Sequence, residues 1–411
     1  MAPPATPRRI LYADADAMFT RCAMLADPDG AGRAELLVVG GRAESRGVVT
    51  SASYAARAYG IRAGMPISQA VRLCPRAMFV PVPGAMVSRK SREMHEVLCR
   101  WSPVVSARSV DEFALDMSGT EGLYHGEPLA ETAWRIREDV LRETGMPMSF
   151  GGATNVLVAK LAIDLAKPSA GGGTPGVHVV PPGEEAAFVA TLDLAAIPGI
   201  GPKFQAKLRA RGLVTVRDAL KVDAGTLRFW FGEGTGEWLW EVVRGIHESP
   251  VQGGDVQKST SREETFAEDV DDETVLEREL LRLAARVSAD LRADGHEART
   301  VTVKLRDADF TTRQASRTLD AAIASDRAVY LVARPLLAKL RRDRRMPSRL
   351  LGIQLSGLDG GAAATQLALF ADPAAPPPVE TPRDRTVAEL VDRINAKHGR
   401  DTIGRGPVVT D

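Results

Sequence analysis

Cysteine is scarce in this chain of 411 residues, with only Cys22, Cys74 and Cys99. Three thiols at wide spacing, none in a C-x-x-C pair, cannot build a disulfide framework. Three buried thiols in a reducing, cytoplasmic compartment are expected. The 6 histidines show no ligand spacing, which argues against zinc. Net charge is also missing, because 53 Lys+Arg balance 53 Asp+Glu, so the total names no nucleic-acid or membrane partner. Long apolar runs are absent, and no stretch reaches the roughly 18 residues of a membrane span. Met1-Ala2-Pro3-Pro4 is not followed by a signal-type apolar stretch, and Val408-Val409-Thr410-Asp411 carries no prenylation signal. Secretion and membrane anchoring are not expected.

The chain does hold ample core material, 44% apolar against 26% charged, enough for about three domains of ordinary size. Residues 9–13 and 36–39 are short apolar runs suited to buried strands. Helical patterns cover 53–59, 67–74, 86–101 and 129–143. Residues 104–106 and 113–116 fit the two strands of a hairpin. Residues 155–166 form a helix stopped by Pro168, and Gly171-Gly172-Gly173 marks a loop. Short helices follow over 190–220, and a helix pair lies around 232–246. From 258 to 358 a compact α+β unit is expected, with helices at 274–293 and 328–340 and strands at 300–305 and 350–355. Beyond it lies an Ala/Gly/Pro-rich stretch that reads as a linker.

Charge is unevenly spread. Between Arg299 and Arg349 stand thirteen Lys and Arg against five Asp, just after an acidic segment at 263–279. Such asymmetry is what a nucleic-acid footprint on a neutral chain would look like, although a solvated helical surface would look similar.

Four acidic residues stand out by position. Asp14 and Asp16 follow the first buried strand, where a carboxylate would be exposed at the rim of a sheet. Asp111 and Glu112 lie between the two hairpin strands. Adjacent residues on a regular strand point to opposite faces, so both can serve one site only in or beside the turn. Clustered carboxylates repel unless a cation neutralises them, and magnesium prefers such oxygen donors. A solvated turn accounts for an Asp-Glu pair equally well. Ser51-Ala52-Ser53-Tyr54-Ala55-Ala56-Arg57 puts Tyr54 and Arg57 on one helical face near an expected helix start, a combination that suits a phosphate. The alternative is a capping Ser53 with a surface arginine. Lys167 ends its helix either as a charge complementing the dipole or as a second phosphate ligand.

Taken together, these segments resemble the Y-family translesion DNA polymerases of the DNA polymerase IV type. Tyr12-Ala13-Asp14-Ala15-Asp16-Ala17-Met18-Phe19 resembles the family's first metal-binding motif, and Ser109-Val110-Asp111-Glu112 the second. Ser53-Tyr54-Ala55-Ala56-Arg57-Ala58-Tyr59-Gly60-Ile61-Arg62-Ala63-Gly64-Met65-Pro66 resembles the fingers segment, and Ala166-Lys167-Pro168 a later phosphate-contacting motif. The motifs run in order over about 350 residues. Ile197-Pro198-Gly199-Ile200-Gly201 followed by Lys203 resembles a helix-hairpin-helix, whose glycines let backbone amides approach a DNA phosphate.

The resemblance implies an α/β and α+β multidomain chain with the right-hand polymerase architecture. Its palm would span 1–20 and 78–180, the small fingers 21–77 and a helical thumb 181–247. After a linker at 248–257, an α+β little finger would span 258–359, followed by a flexible tail at 360–411. The implied reaction is template-directed addition of deoxynucleotides to a primer end by two Mg2+ ions, with Mn2+ able to substitute. The metal ligands would be Asp14, Asp111 and Glu112 with the backbone carbonyl of Ala15. Ser51, Tyr54, Arg57 and Lys167 would hold the nucleotide, and Phe19 would collide with a ribose 2′-hydroxyl. Gly199, Gly201, Lys203, Lys304, Arg306, Arg313 and Arg317 would contact primer-template DNA. Gln366-Leu367-Ala368-Leu369-Phe370 is similar to the peptide by which bacterial polymerases hold the sliding clamp, with Gln366, Leu367, Leu369 and Phe370 as anchors. A monomer is expected.

Three departures concern activity level and substrate preference rather than reaction type: the order Phe113-Ala114 after the Asp-Glu pair, Ala23 where an acidic residue is usual, and the enlarged loop at 171–173. A non-catalytic DNA- and clamp-binding adaptor is the alternative, and a nucleotidyl cyclase a more remote one. Residues 386–398 form a short amphipathic helix without an assigned role.

Overall fold

The computed structural model describes residues 7–168, 175–251, 257–359, 378–399 and 402–403. It divides into two compact units, one up to Gly254 and one from Asp255. The loop at 171–173 and the clamp-like residues Gln366, Leu367, Leu369 and Phe370 lie outside the described residues.

In chain order the first unit starts with β1 (Ile10–Ala15), α1 (Met18–Ala26), β2 (Leu37–Val39) and β3 (Ser51–Ala52). Next come α2 (Tyr54–Ala58), α3 (Ile67–Leu73), β4 (Met78–Val80) and α4 (Gly84–Trp101). They are followed by β5 (Val104–Ala107), β6 (Glu112–Asp116), α5 (Leu129–Thr144), β7 (Met148–Ala153), α6 (Val156–Ala166) and β8 (Val177–Val179). Five short helices close the unit: α7 (Glu185–Val189), α8 (Pro202–Arg209), α9 (Val216–Leu220), α10 (Ala224–Phe231) and α11 (Glu233–Val242).

The main sheet has the order β5-β6-β1-β7-β8. Its strands are apolar because both faces are covered. Leu11, Ala13, Phe113 and Leu115 join a core with Met94, Leu98 and Ile136 of α4 and α5. On the other face, Ile10, Tyr12 and Ala114 join α6 and the helices from α7 onward. β7 sits beside β1 at the centre of this sheet. The sequence pattern omits it because Gly151-Gly152 interrupts the apolar run.

A smaller sheet, β3-β2-β4, carries the fingers residues. β4 pairs in parallel with β2, so residues 78–80 belong to this smaller sheet and not to the main one. The boundary expected between 20 and 21 falls inside α1.

The second unit is β9 (Ser259–Val270), α12 (Glu273–Ala293), β10 (Glu297–Asp307), β11 (Thr312–Ile323), α13 (Asp326–Asp343), β12 (Ser348–Asp359) and α14 (Pro382–His398). Its antiparallel sheet runs β11-β10-β12-β9. α12 and α13 cover one face through Leu276, Leu280, Val287, Val329 and Val332 against Val301, Val303, Leu351 and Ile353. The strands β9 and β11, which the apolar pattern misses, are polar because they carry few core residues.

The expected tail is in part a built element. α14 is capped by a Thr381–Asp384 capping box. Arg292 donates to both oxygens of Asp392, at 2.7 and 2.8 Å, and Arg385 pairs with Glu297. Cys22 and Cys74 are buried as expected, whereas Cys99 is exposed on α4. Among the described residues no helix is long and apolar enough to cross a membrane.

Candidate active site

The site forms where β1 ends. Asp14 is the cross-strand partner of Glu112 on β6 and of Ser149 on β7. Directly opposed residues in an antiparallel pair point the same way, so Asp14 and Glu112 share a face. Asp111 lies in the turn before β6, where its carbonyl accepts the Ala15 amide at 2.9 Å. Ser109 shapes that turn. Its hydroxyl donates to Asp111 Oδ1 and accepts the amides of Asp111 and Glu112 at 3.2 and 3.1 Å. The turn therefore brings Asp111 beside Glu112, as the hairpin reading required. Ala17, at φ 51°, then swings the chain from β1 into α1. A non-glycine residue in this left-handed region stores local strain.

Two lysines face the carboxylates. Lys160 lies within α6, and Lys167, seven residues on, is the residue just past its C-terminal end. The helix can lie close on β7 because Gly151 has no side chain, and a Cβ there would sit 2.0 Å from the Ala159 carbonyl oxygen. Lys167 donates to Asp14 Oδ2 at 2.8 Å. Lys160 donates to both Glu112 oxygens, at 2.8 and 3.0 Å, and to the Tyr12 hydroxyl at 3.1 Å. Lys160 was not anticipated. Its place in the expected helix at 155–166, seven residues before Lys167, is the signal that could have found it.

The electrostatics follow from these contacts. Burial pushes the Asp14 carboxyl up to about 6, Lys167 opposes that rise, and the charges of Glu112 and Asp111 add to it. Burial acts on Glu112 too, but hydrogen bonds from Lys160 and Tyr12 overcome it and hold the carboxyl below its ordinary value. Burial, partly offset by a hydrogen bond from Ser149, raises Asp16, whose Oδ1 accepts the Ser149 hydroxyl at 2.8 Å. Negative charge is thus gathered at one end of the sheet, and carboxylate oxygens are the donors magnesium takes. Asp14, Asp111 and Glu112 fit such an ion in chemistry. Among the described residues, however, no group of three His, Cys, Asp or Glu side chains is drawn together as a ready cage. The expected convergence is incomplete because Asp14 and Glu112 each turn to their own lysine.

The fingers residues divide. The Tyr54 side chain is partly exposed, and burial of its hydroxyl, with the charge of Asp16, raises its pKa above the ordinary value. Arg57 stacks 5.0 Å from the Tyr54 ring centroid, while its Nε donates to the Ala52 carbonyl at 2.9 Å. Ser51 is buried within β3. Ser53 caps α2, a helix of only five residues, by accepting the Ala56 amide. The capping Ser53 that the sequence left open is therefore present, and it occupies the Ala56 amide at this helix start. Phe19 stands half-buried in the first turn of α1, packed between the Met18 and Leu37 clusters.

In the helical region Gly199 has φ 96° and Gly201 precedes Pro202 at the start of α8, with Lys203 exposed. In the second unit the register separates the four basic residues. Lys304 and Arg306 face away from the helices, opposite Gln314 and Thr312, whereas Arg313 and Arg317 pair with Leu305 and Val301 on the helix-covered side. Arg313 is bound to the fully buried Asp307 at 2.8 Å. It is a structural ion pair and not part of a common DNA-facing row.

The impB/mucB/samB family profile matches residues 13–164, and its C-terminal domain matches 257–369. A DNA polymerase-iota thumb domain matches 195–247. DNA polymerase IV of Dehalococcoides mccartyi strain CBDB1 is 34% identical over 399 residues, 97% of each chain. DNA polymerase IV of Desulfatibacillum aliphaticivorans is 35% identical over 407 residues, 99% of this chain and 98% of that one. Among solved structures, a Y-family chimera of the Dbh and Dpo4 polymerases superposes with a TM-score of 0.74 at 25% identity, covering 85% of this chain and 99% of the other. An insertion ternary complex of Dbh DNA polymerase gives 0.57 at 26% identity, with 85% and 98% covered. Relatives named for a polymerase set aside the adaptor and cyclase readings. With catalytic region, thumb and C-terminal domain matched alike, this chain belongs to the impB/mucB/samB family, the Y-family DNA polymerases, and is a template-directed DNA polymerase of the translesion type.

Proposed function

We propose that nucleotidyl transfer takes place at the end of β1 and β6, with Asp14, Asp111, Glu112 and the Ala15 carbonyl as ligands to two Mg2+ ions, for which Mn2+ can substitute. The observation that supports this most is the direct pairing of Asp14 with Glu112, with Asp111 in the adjoining turn. When bound, the ions supply the positive charge that activates the primer 3′-hydroxyl and neutralises the triphosphate. The chain's own part is to position and to neutralise. Tyr54, Arg57 and Lys167 hold the triphosphate, Ser51 shapes the strand beneath them, and Lys167 exchanges Asp14 for a phosphate oxygen. The Phe19 ring closes the space that a ribose 2′-hydroxyl would need.

Primer-template DNA is held through its backbone, by amides around Gly199 and Gly201 with Lys203, and by Lys304 and Arg306 on the face of the second unit's sheet away from its helices. The domain division suggested by sequence is retained, with residues 78–80 moved to the fingers. A sliding clamp taken by Gln366, Leu367, Leu369 and Phe370, a monomeric state and a cytoplasmic location complete the proposal. Magnesium-dependent primer extension tests its centre. Asp111→Ala and Glu112→Ala should each lose at least about a thousandfold in rate, and extension at the parental rate would overturn the site.

A further inference from the structure

Lys160 has no part in these assignments, yet its ammonium is enclosed by the catalytic carboxylate and a buried tyrosine. It donates to both Glu112 oxygens and to the Tyr12 hydroxyl, and that hydroxyl donates to Glu112 Oε2 at 2.9 Å. The three groups thus close a ring of contacts. Lys160 Nζ also lies 4.9 Å from the centroid of the Tyr12 ring, within the range of a cation–π attraction. Tyr12 is only 3% exposed and fixed within β1, so its hydroxyl is a rigid point.

The backbone dictates this arrangement. Residue 160 directly follows the carbonyl that approaches Gly151, so it sits where the helix lies against β7. A lysine so placed is aimed at β6 rather than left to sample solvent. It links 148 residues of chain, from β1 to α6, at the carboxylate itself. Two consequences follow from charge and geometry. Glu112 is held in one orientation before any substrate arrives, and part of its charge is already matched, so that a dication must share it with an ammonium group.

We propose that Lys160 is a positioning residue of this polymerase: with Tyr12 it fixes the Glu112 carboxylate, and its charge competes with the divalent cation at that carboxylate. The inference rests on the reading of Glu112 as a metal ligand.

The test uses the full chain in two measurements. Mn2+ binding without DNA or nucleotide is followed by the paramagnetic resonance of the free ion, and single-nucleotide incorporation gives kcat and KM. Lys160→Met keeps the stem and removes the charge. It should tighten Mn2+ about tenfold, since the repulsion is gone. It should also lower kcat at least about tenfold, with KM for the deoxynucleotide within about twofold of the parent. Lys160→Arg, which keeps charge and donors, should hold Mn2+ as the parent does and recover most of kcat.

An unchanged Mn2+ affinity or an unchanged kcat in Lys160→Met overturns the proposal, as does a loss confined to KM, which would place Lys160 on the triphosphate. Should the methionine variant fail to fold, Tyr12→Phe is read instead. It should lower kcat severalfold at constant KM, and parental kinetics would overturn the proposal. Glu112→Gln separates the two readings. Parental Mn2+ binding by that variant defeats the metal-ligand assignment itself, whereas its loss beside an unaffected Lys160→Met defeats only the role of Lys160.

Discussion

The main sheet of the first unit and the sheet of the second use charge in opposite ways. β1 and β6 run between two covered faces, and most of their residues are buried. Against that background a carboxylate is out of place, and the pair Asp14 and Glu112 at the strand ends stands out. Among the described residues, helices cover the second unit's sheet on one face only. Thr300, Thr302, Lys304 and Arg306 alternate with Val301, Val303 and Leu305, so polar and charged groups are the normal solvent face of an antiparallel sheet. Many of its charges also pair among themselves, as Lys304 does with Glu263 and Arg344 with Asp309. A charge is therefore informative in proportion to how poorly its surroundings suit it.

That contrast can be broken at several points. The largest of these effects is expected at Phe19, the half-buried aromatic ring in the first turn of α1. Phe19→Ala should raise the ratio of ribonucleotide to deoxyribonucleotide incorporation about a hundredfold, read by primer extension with each substrate alone. An unchanged ratio would return Phe19 to ordinary packing. Next comes Arg313. Its removal strands part of the charge of Asp307, which is 0% exposed and keeps only Arg344. Arg313→Ala should cost about 3 kcal/mol in urea unfolding, as breaking a buried pair does, and leave the salt dependence of DNA binding untouched. Lys304→Ala should do the reverse, lowering the salt slope by about one with little change in stability. If the two variants exchanged these behaviours, the assignment of faces would be wrong. The smallest effect concerns α14. A double-mutant cycle on Arg292 and Asp392 should give a coupling of about 1 kcal/mol, and a null coupling would mean that this pair does not fasten the helix.

Much of the catalytic region was legible because its strands are short apolar blocks with carboxylates at their ends, and because the Asp111-Glu112 turn lies between two recognisable strands. β7 was hidden by Gly151 and Gly152, whose small size is itself the reason α6 can approach. β9 and β11 were hidden because a one-sided sheet with an exposed edge has little apolar content. Lys160 looked like any helical lysine, since its partners lie 48 and 148 residues away. The separation of Arg313 from Lys304 depends on strand register, which a count of basic residues does not contain.

Glu297 has a further consequence. It is the cross-strand partner of Asp359, the last residue of β12, and its carboxylate also takes Arg385 in the first turn of α14. The end of β12 and the first turn of α14 therefore meet at a single corner of the folded unit. Closing a loop whose ends are already neighbours becomes only slowly harder as the loop grows, by about 0.6 kcal/mol per doubling. Insertion of a reporter domain or a lengthened spacer between those two anchor points should thus leave the sheet and its docked helix intact, making this corner a natural place to attach new modules to the enzyme.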